Sequence, residues 1–129
     1  MKKTKPLEIE LLEFADFANP TWDNKLNLSG IFDEIYVNKI PAIHPRMYAV
    51  GIGRGTPGRD YGADILIKDP KGKTLQAVEL KLTPGGNGRA NFIAEVEDLP
   101  LKTTGRYTLH ILSNKKVVGK RNLEVKKEN

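Results

Sequence analysis

Apolar residues in this chain recur at every second position, and no convincing stretch shows the three-and-four spacing of an amphipathic helix. The clearest case is residues 99–125, LPLKTTGRYTLHILSNKKVVGKRNLEV, where Tyr107, Leu109 and Ile111 alternate with Arg106, Thr108 and His110. Side chains of a strand point alternately to two faces, so a period of two calls for sheets with one face buried. Ser113-Asn114-Lys115-Lys116 then reverses the chain into a strand carrying Val117, Val118, Leu123 and Val125. Gly105-x-Tyr107 has the form of a tyrosine corner, with the ring in the core and the hydroxyl bonded to backbone upstream, near residues 99–102.

The earlier residues extend the pattern. Leu7, Ile9 and Leu11 alternate with Glu8 and Glu10 in a first strand that runs on to Phe14. Residues 15–24 read as a polar connection with room for a short helical turn, and their Trp22 reads first as a core plug, the alternative being a sugar- or peptide-binding face shared with Tyr36 and Tyr48. In residues 25–37 the alternation changes phase at Ser29-Gly30, which predicts a kink at Gly30 that keeps both halves aimed at the core. Pro41 and Pro45 lack backbone donors, so residues 41–45 read as a crossover between sheets, followed by a strand from Met47 to Ile52 and a loop over 53–60. Asp69-Pro70-Lys71-Gly72 is a turn signal between strands carrying Tyr61, Ala63, Ile65 and Ile67 on one side and Val78, Leu80 and Leu82 on the other. After the loop 84–88, Phe92, Ala94 and Val96 form one more strand. The expected class is all-β, an immunoglobulin-like Greek-key β-sandwich of about seven to nine antiparallel strands. Its expected organisation is a basic N-terminal tail (1–6), a single domain (7–125) and a C-terminal tail (126–129).

Composition closes off several kinds of chemistry. The chain has no cysteine, which rules out thiolate catalysis, cysteine-ligated zinc, iron–sulfur clusters and a disulfide between sheets. The acids at positions 8, 10 and 13 stand where a signal peptide would need an apolar run, and no apolar run is long enough to span a bilayer; a cytoplasmic protein is expected. The net charge of +5 points toward nucleic acid until its placement is considered. Lys2, Lys3, Lys5, Lys126 and Lys127 lie in the tails, and residues 6–125 hold 16 basic against 15 acidic residues, so the body is nearly neutral. Nucleic-acid binding through the lysine tails is therefore the least favoured reading.

Chemistry-bearing motifs are sparse. Gly51-x-Gly53-x-Gly55 misses the G-x-G-x-x-G spacing and leads into a strand, not a helix, so no helix N-terminus is offered to a pyrophosphate. It reads as a loop, as does Gly85-Gly86-Asn87-Gly88, although either loop could touch an anionic partner through Arg54, Arg59 or Arg89. His110 falls on the polar parity of its strand, and the spacing of the two histidines matches no metal motif. His44, before Pro45, reads first as a structural residue bonding backbone groups that the prolines leave unpaired. Asp33 and Glu34 are adjacent in an extended segment and face opposite ways, which makes a poor acid–base pair. No serine has a base in view, so no catalytic residue, metal or cofactor is expected.

Lys25-Leu26-Asn27-x-x-Gly30-Ile31-Phe32-Asp33-x-Ile35, followed by Pro41-Ala42-x-His44-Pro45, resembles a family of small bacterial proteins described as a domain of unknown function. The resemblance extends from Phe14-Ala15-Asp16 to Gly105-x-Tyr107, implies a prokaryotic cytoplasmic protein, and names no reaction. Within it Leu26, Gly30, Ile31 and Phe32 read as fold residues, which leaves Asp16, Asn27, Asp33, His44 and Arg46 as candidate binding residues. The closing strands also resemble fibronectin type III and bacterial immunoglobulin-like modules. The expected role is a non-enzymatic protein-interaction or structural module, acting on a protein partner or as a homo-oligomer, with no membrane partner. The alternative is a binder of small molecules or carbohydrates, or a hydrolase, built around His44.

Overall fold

The structure, a computed structural model, describes residues 5–128; the start of the N-terminal tail, with Lys2 and Lys3, lies outside them. Nine strands follow one another: β1 (Glu8–Pro20), β2 (Leu26–Phe32), β3 (Glu34–Val37), β4 (Ala42–Arg54), β5 (Tyr61–Lys68), β6 (Thr74–Leu82), β7 (Arg89–Leu101), β8 (Gly105–Ser113) and β9 (Lys116–Lys127). They make a four-stranded sheet, β2-β1-β4-β7, facing a five-stranded one, β3-β9-β8-β5-β6. All pairings are antiparallel except that of β3 with β9. The expected immunoglobulin-like sandwich is present. None of the described residues forms a helix, so no helix long and apolar enough to cross a membrane occurs among them.

The alternating residues of the closing strands make the core. Tyr107, Leu109, Ile111, Leu123 and Val125 are buried against Phe14, Met47, Phe92, Ala94 and Val96 of the facing sheet. The Tyr107 hydroxyl donates to the Thr103 carbonyl at 2.7 Å, one residue beyond the expected span. The turn at 69–72 is also as expected, with the Asp69 carboxylate accepting from the amides of Lys71 and Lys73.

Where the sequence reading goes astray, the side-chain parity changes within a strand. β1 does not stop at Phe14. A bulge between Ile9 and Leu11 brings Leu12 and Phe14 to the core and leaves Leu11 half-buried, and residues 15–20 continue the strand with no helical turn. The phase change expected at Gly30 occurs instead at Asp33, where the chain bends out of the first sheet into β3; Ile31 stays exposed while Ile35 is buried. Residues 42–45 belong to β4 and are not a crossover. Pro45 is tolerated because β1 pairs with β4 only as far as Tyr48, so Pro45 lies on a locally free edge, and because the ladder with β7 skips Pro45 and Asp98, whose φ is 51°. Lys126 and Lys127, read as tail, are the end of β9, and Glu128 donates its amide to the Val37 carbonyl at 2.8 Å.

Beyond Ala15, β1 leaves β4 and continues with β2 as a two-stranded arm. At its tip the Thr21 amide donates to the Lys25 carbonyl at 2.8 Å, and Asn24 takes a φ of 64° to close the turn. Asn91 of β7 donates its side-chain amide to the Asn24 carbonyl at 3.2 Å, which pins the tip to the opposite edge strand of the same sheet. Trp22 sits on this tip and is 98% exposed, so it is no core plug.

Candidate functional site

The five sequence candidates divide between four places. Asp16 and His44 come together at one end of the sandwich. His44 pairs with the core residue Leu99 and packs its ring on Phe32 at 6.1 Å, and Phe32 stacks on Phe14 at 6.0 Å. The His44 ring is half-buried, and its Nε2 is buried without a hydrogen-bond partner, so it does not serve the backbone groups left unpaired by the prolines through that atom. Burial pushes its pKa below the usual 6.5, and the negative charge of Asp16 opposes that shift in part. Asp16 is exposed, and its carboxylate occupies the space above Gly30, where a Cβ would lie 2.5 Å from Asp16 Oδ2. Gly30 has a φ of 71°, a second reason for glycine there.

The other three point elsewhere. The Asn27 side-chain amide donates to Asn19 Oδ1 at 2.8 Å, a cross-strand pair within the arm. Asp33 marks the bend between β2 and β3; its carbonyl accepts from the Glu124 amide at 2.9 Å, and it lines a shallow hollow with Lys120, Arg121 and Asn122. Arg46 is exposed and ion-paired to Glu95 at 2.9 Å, with Glu97 at 3.9 Å. No single cleft gathers the five.

Chemically, the Asp16 carboxylate acts on the His44 imidazole through its charge, with no hydrogen bond between the two. General acid–base work needs that contact, directly or through one water. No group of three or more His, Asp or Glu side chains suited to holding a metal occurs among the described residues. Sequence reasoning ranked a core place for Trp22 above the exposed one that the fold gives it. The flanking signals Asn19-Pro20 and Asp23-Asn24 mark a hairpin tip, and such a tip has no core within reach.

The fold is shared with solved structures at low identity. The alkylpurine DNA glycosylase AlkC of Pseudomonas fluorescens, bound to DNA containing an abasic site analog, matches with a TM-score of 0.56 at 15% identity, over 93% of this chain and 30% of that one. An immunoglobulin-like protein of Pseudomonas aeruginosa matches with a TM-score of 0.51 at 12% identity, over 95% of this chain and 98% of that one. A β-glucosidase of Listeria innocua in complex with glucose matches with a TM-score of 0.52 at 8% identity, over 95% of this chain and 16% of that one. This chain therefore spans a minor part of each of the two enzymes and nearly the whole of the immunoglobulin-like protein. No curated protein matches the chain. Residues 10–126 match the model of a family of unknown function (DUF6941), and the chain belongs to that family.

Proposed function

We propose that this domain is a non-enzymatic protein-interaction module that engages its partner through the β1–β2 arm. The observation that carries the reading is Trp22, 98% exposed on a turn that three hydrogen bonds and the tie to Asn91 hold in place. A large aromatic displayed on an ordered turn is the usual anchor of a protein contact, because it brings much apolar area at little entropic cost. β2, the edge strand beside it, supports the same reading. Its sequence LNLSGIF holds no charge and no proline, the features that normally guard an edge against pairing, and Ile31 is 59% exposed. The other edge of this sheet, β7, lies against β6, where Gln76 reaches the Glu97 carbonyl.

A photo-crosslinking residue placed at position 25, on the same turn as Trp22, in the producing cell tests the reading. A discrete protein adduct is expected, and it should disappear when Ser29→Lys adds a charge to the β2 edge while the circular dichroism stays unchanged. Absence of any protein adduct, or an adduct indifferent to Ser29→Lys, would remove the arm from the reading.

A further inference from the structure

The two glycine-rich loops, left as separate connections by the sequence, pack against each other at the end of the sandwich where β4 finishes and β7 begins. The Gly55 amide donates to the Gly88 carbonyl at 3.0 Å, and the Gly58 amide to the Pro84 carbonyl at 2.9 Å. Tyr61 fixes the near wall. Its hydroxyl donates to the Lys5 carbonyl and accepts from the Thr56 amide at 2.9 Å, while Thr56 Oγ1 accepts from the Lys5 amide at 3.0 Å. Glycine is required at 55 because a Cβ there would lie 2.6 Å from the Tyr61 ring.

Between these walls lies an open cleft of about 720 Å³, lined by Lys5, Glu8, Arg54, Thr56 and the turn Gly86-Asn87-Gly88 among others. Small-molecule sites fall in this size range. Among the described residues, neither the Lys5 ammonium nor the Arg54 guanidinium has a carboxylate partner, although most of the fold's arginines are paired. Glu8, opposite Arg54 across the β1–β4 ladder, also lines the cleft and is the one carboxylate there. On the far wall, the amides of Gly86 and Asn87 are the two central donors of a turn closed by the Gly88 amide on the Gly85 carbonyl, and they make no backbone hydrogen bond of their own. Two unpaired cations and two free amides on ordered walls are the donor set for an anionic oxygen group.

We propose that this cleft is a binding site for a small ligand bearing a phosphate or carboxylate group, with Arg54 as its principal charge partner, Lys5 as the second, and the 86–87 turn supplying amide donors. Glu8, the cross-strand neighbour of Arg54, sets a limit on the charge the site accepts, favouring a ligand with a single anionic group whose remainder carries hydroxyl or amine donors toward Glu8. The site is at the loops, and its failure would leave the arm reading untouched.

Amide chemical shifts of the isotope-labelled full chain, followed during separate titrations with inorganic phosphate and with acetate at constant ionic strength, test the proposal. Saturable shifts confined to residues 5–8, 54–58 and 85–89 are expected with at least one of the two. The anion that saturates identifies the ligand group as phosphate or carboxylate. Arg54→Gln, at an exposed position, should weaken that binding tenfold or more, which is about 1.4 kcal/mol. Shifts that do not saturate, that spread evenly over surface lysines, or that survive Arg54→Gln unchanged would overturn the assignment.

Discussion

At Gly30 two independent constraints meet, and they can be separated. The backbone sits at a φ of 71°, and a Cβ would fall 2.5 Å from Asp16 Oδ2. Gly30→Ala should therefore cost about 1–3 kcal/mol in urea unfolding. In an Asp16→Ala background the contact with the carboxylate should vanish, leaving the Cβ of residue 16 at 3.1 Å and about 1 kcal/mol of backbone strain. Complete recovery there would mean that contact alone requires the glycine. His44 supplies a second test, through pH. Burial lowers its folded-state pKa below 6.5, with Asp16 opposing, while the unfolded chain takes up the proton at the ordinary value. As pH falls through about 6.5 the unfolded state therefore binds more protons than the fold, and stability declines toward acid until the folded-state pKa is passed. His44→Phe, which keeps a ring against Phe32, should flatten that decline between about pH 7 and 5. A residual slope is expected from His110, lowered first by burial and then by the charges of Lys68 and Lys120. An unchanged slope in His44→Phe would show that His44 is not its source.

At the scale of elements, legibility follows constancy of parity. β5 and β8 hold one alternation from end to end, and the sequence marks their buried apolar residues, the 69–72 turn and the tyrosine corner correctly, although buried Ser113 ends β8 and is not part of the link. β1 changes parity at its bulge, the β2–β3 segment at Asp33, and β4 with β7 across the Pro45–Asp98 position; each change moves later residues to the other face. A pattern read at a single period cannot place such shifts, because they are set by which neighbour strand is present at that point. The candidate site suffered from the same cause. His44 and Arg46 are two positions apart, yet the former faces Leu99 and Phe32 in the core and the latter pairs with exposed Glu95. The β8–β9 hairpin was legible in place and its strain is visible only in the fold. Asn114 and Lys115 both take positive φ, 51° and 64°, the geometry of a two-residue turn that favours Asn-Gly. Lys115→Gly should stabilise the domain by about 0.5–1 kcal/mol in thermal or urea unfolding, and destabilisation would argue that the Lys115 side chain contributes more than its backbone costs.

For the whole molecule, the distribution of charge decides between partners more firmly than its total does. The chain carries +5, but its body is nearly neutral, and four of its six arginines are held in ion pairs within the fold. Arg46 pairs with Glu95, Arg89 with Glu10, Arg106 with Glu124, Arg121 with Glu13, and Lys126 with Glu34. The last of these is a residue that the sequence assigned to a free tail; in β9, beside β3, it is tied down, and Glu34 raises its pKa by hydrogen bond and charge. Paired cations release few counterions on meeting a polyanion, and counterion release supplies most of non-specific nucleic-acid affinity. Fluorescence anisotropy with a labelled duplex should therefore show weak binding at low salt that falls away by about 0.15 M, with a Kd no tighter than roughly 10⁻⁴ M there. Binding that stays tight at physiological salt would mean that an organised basic surface exists outside the paired residues named above. Arg54 and Lys5, at the loop end, are among the cations outside these pairs, and they line a cleft whose one carboxylate is Glu8. The two proposed sites are thus separate, an apolar one on the arm and a charged one between the loops. Blocking the first with Ser29→Lys should leave anion-dependent shifts at the second unchanged.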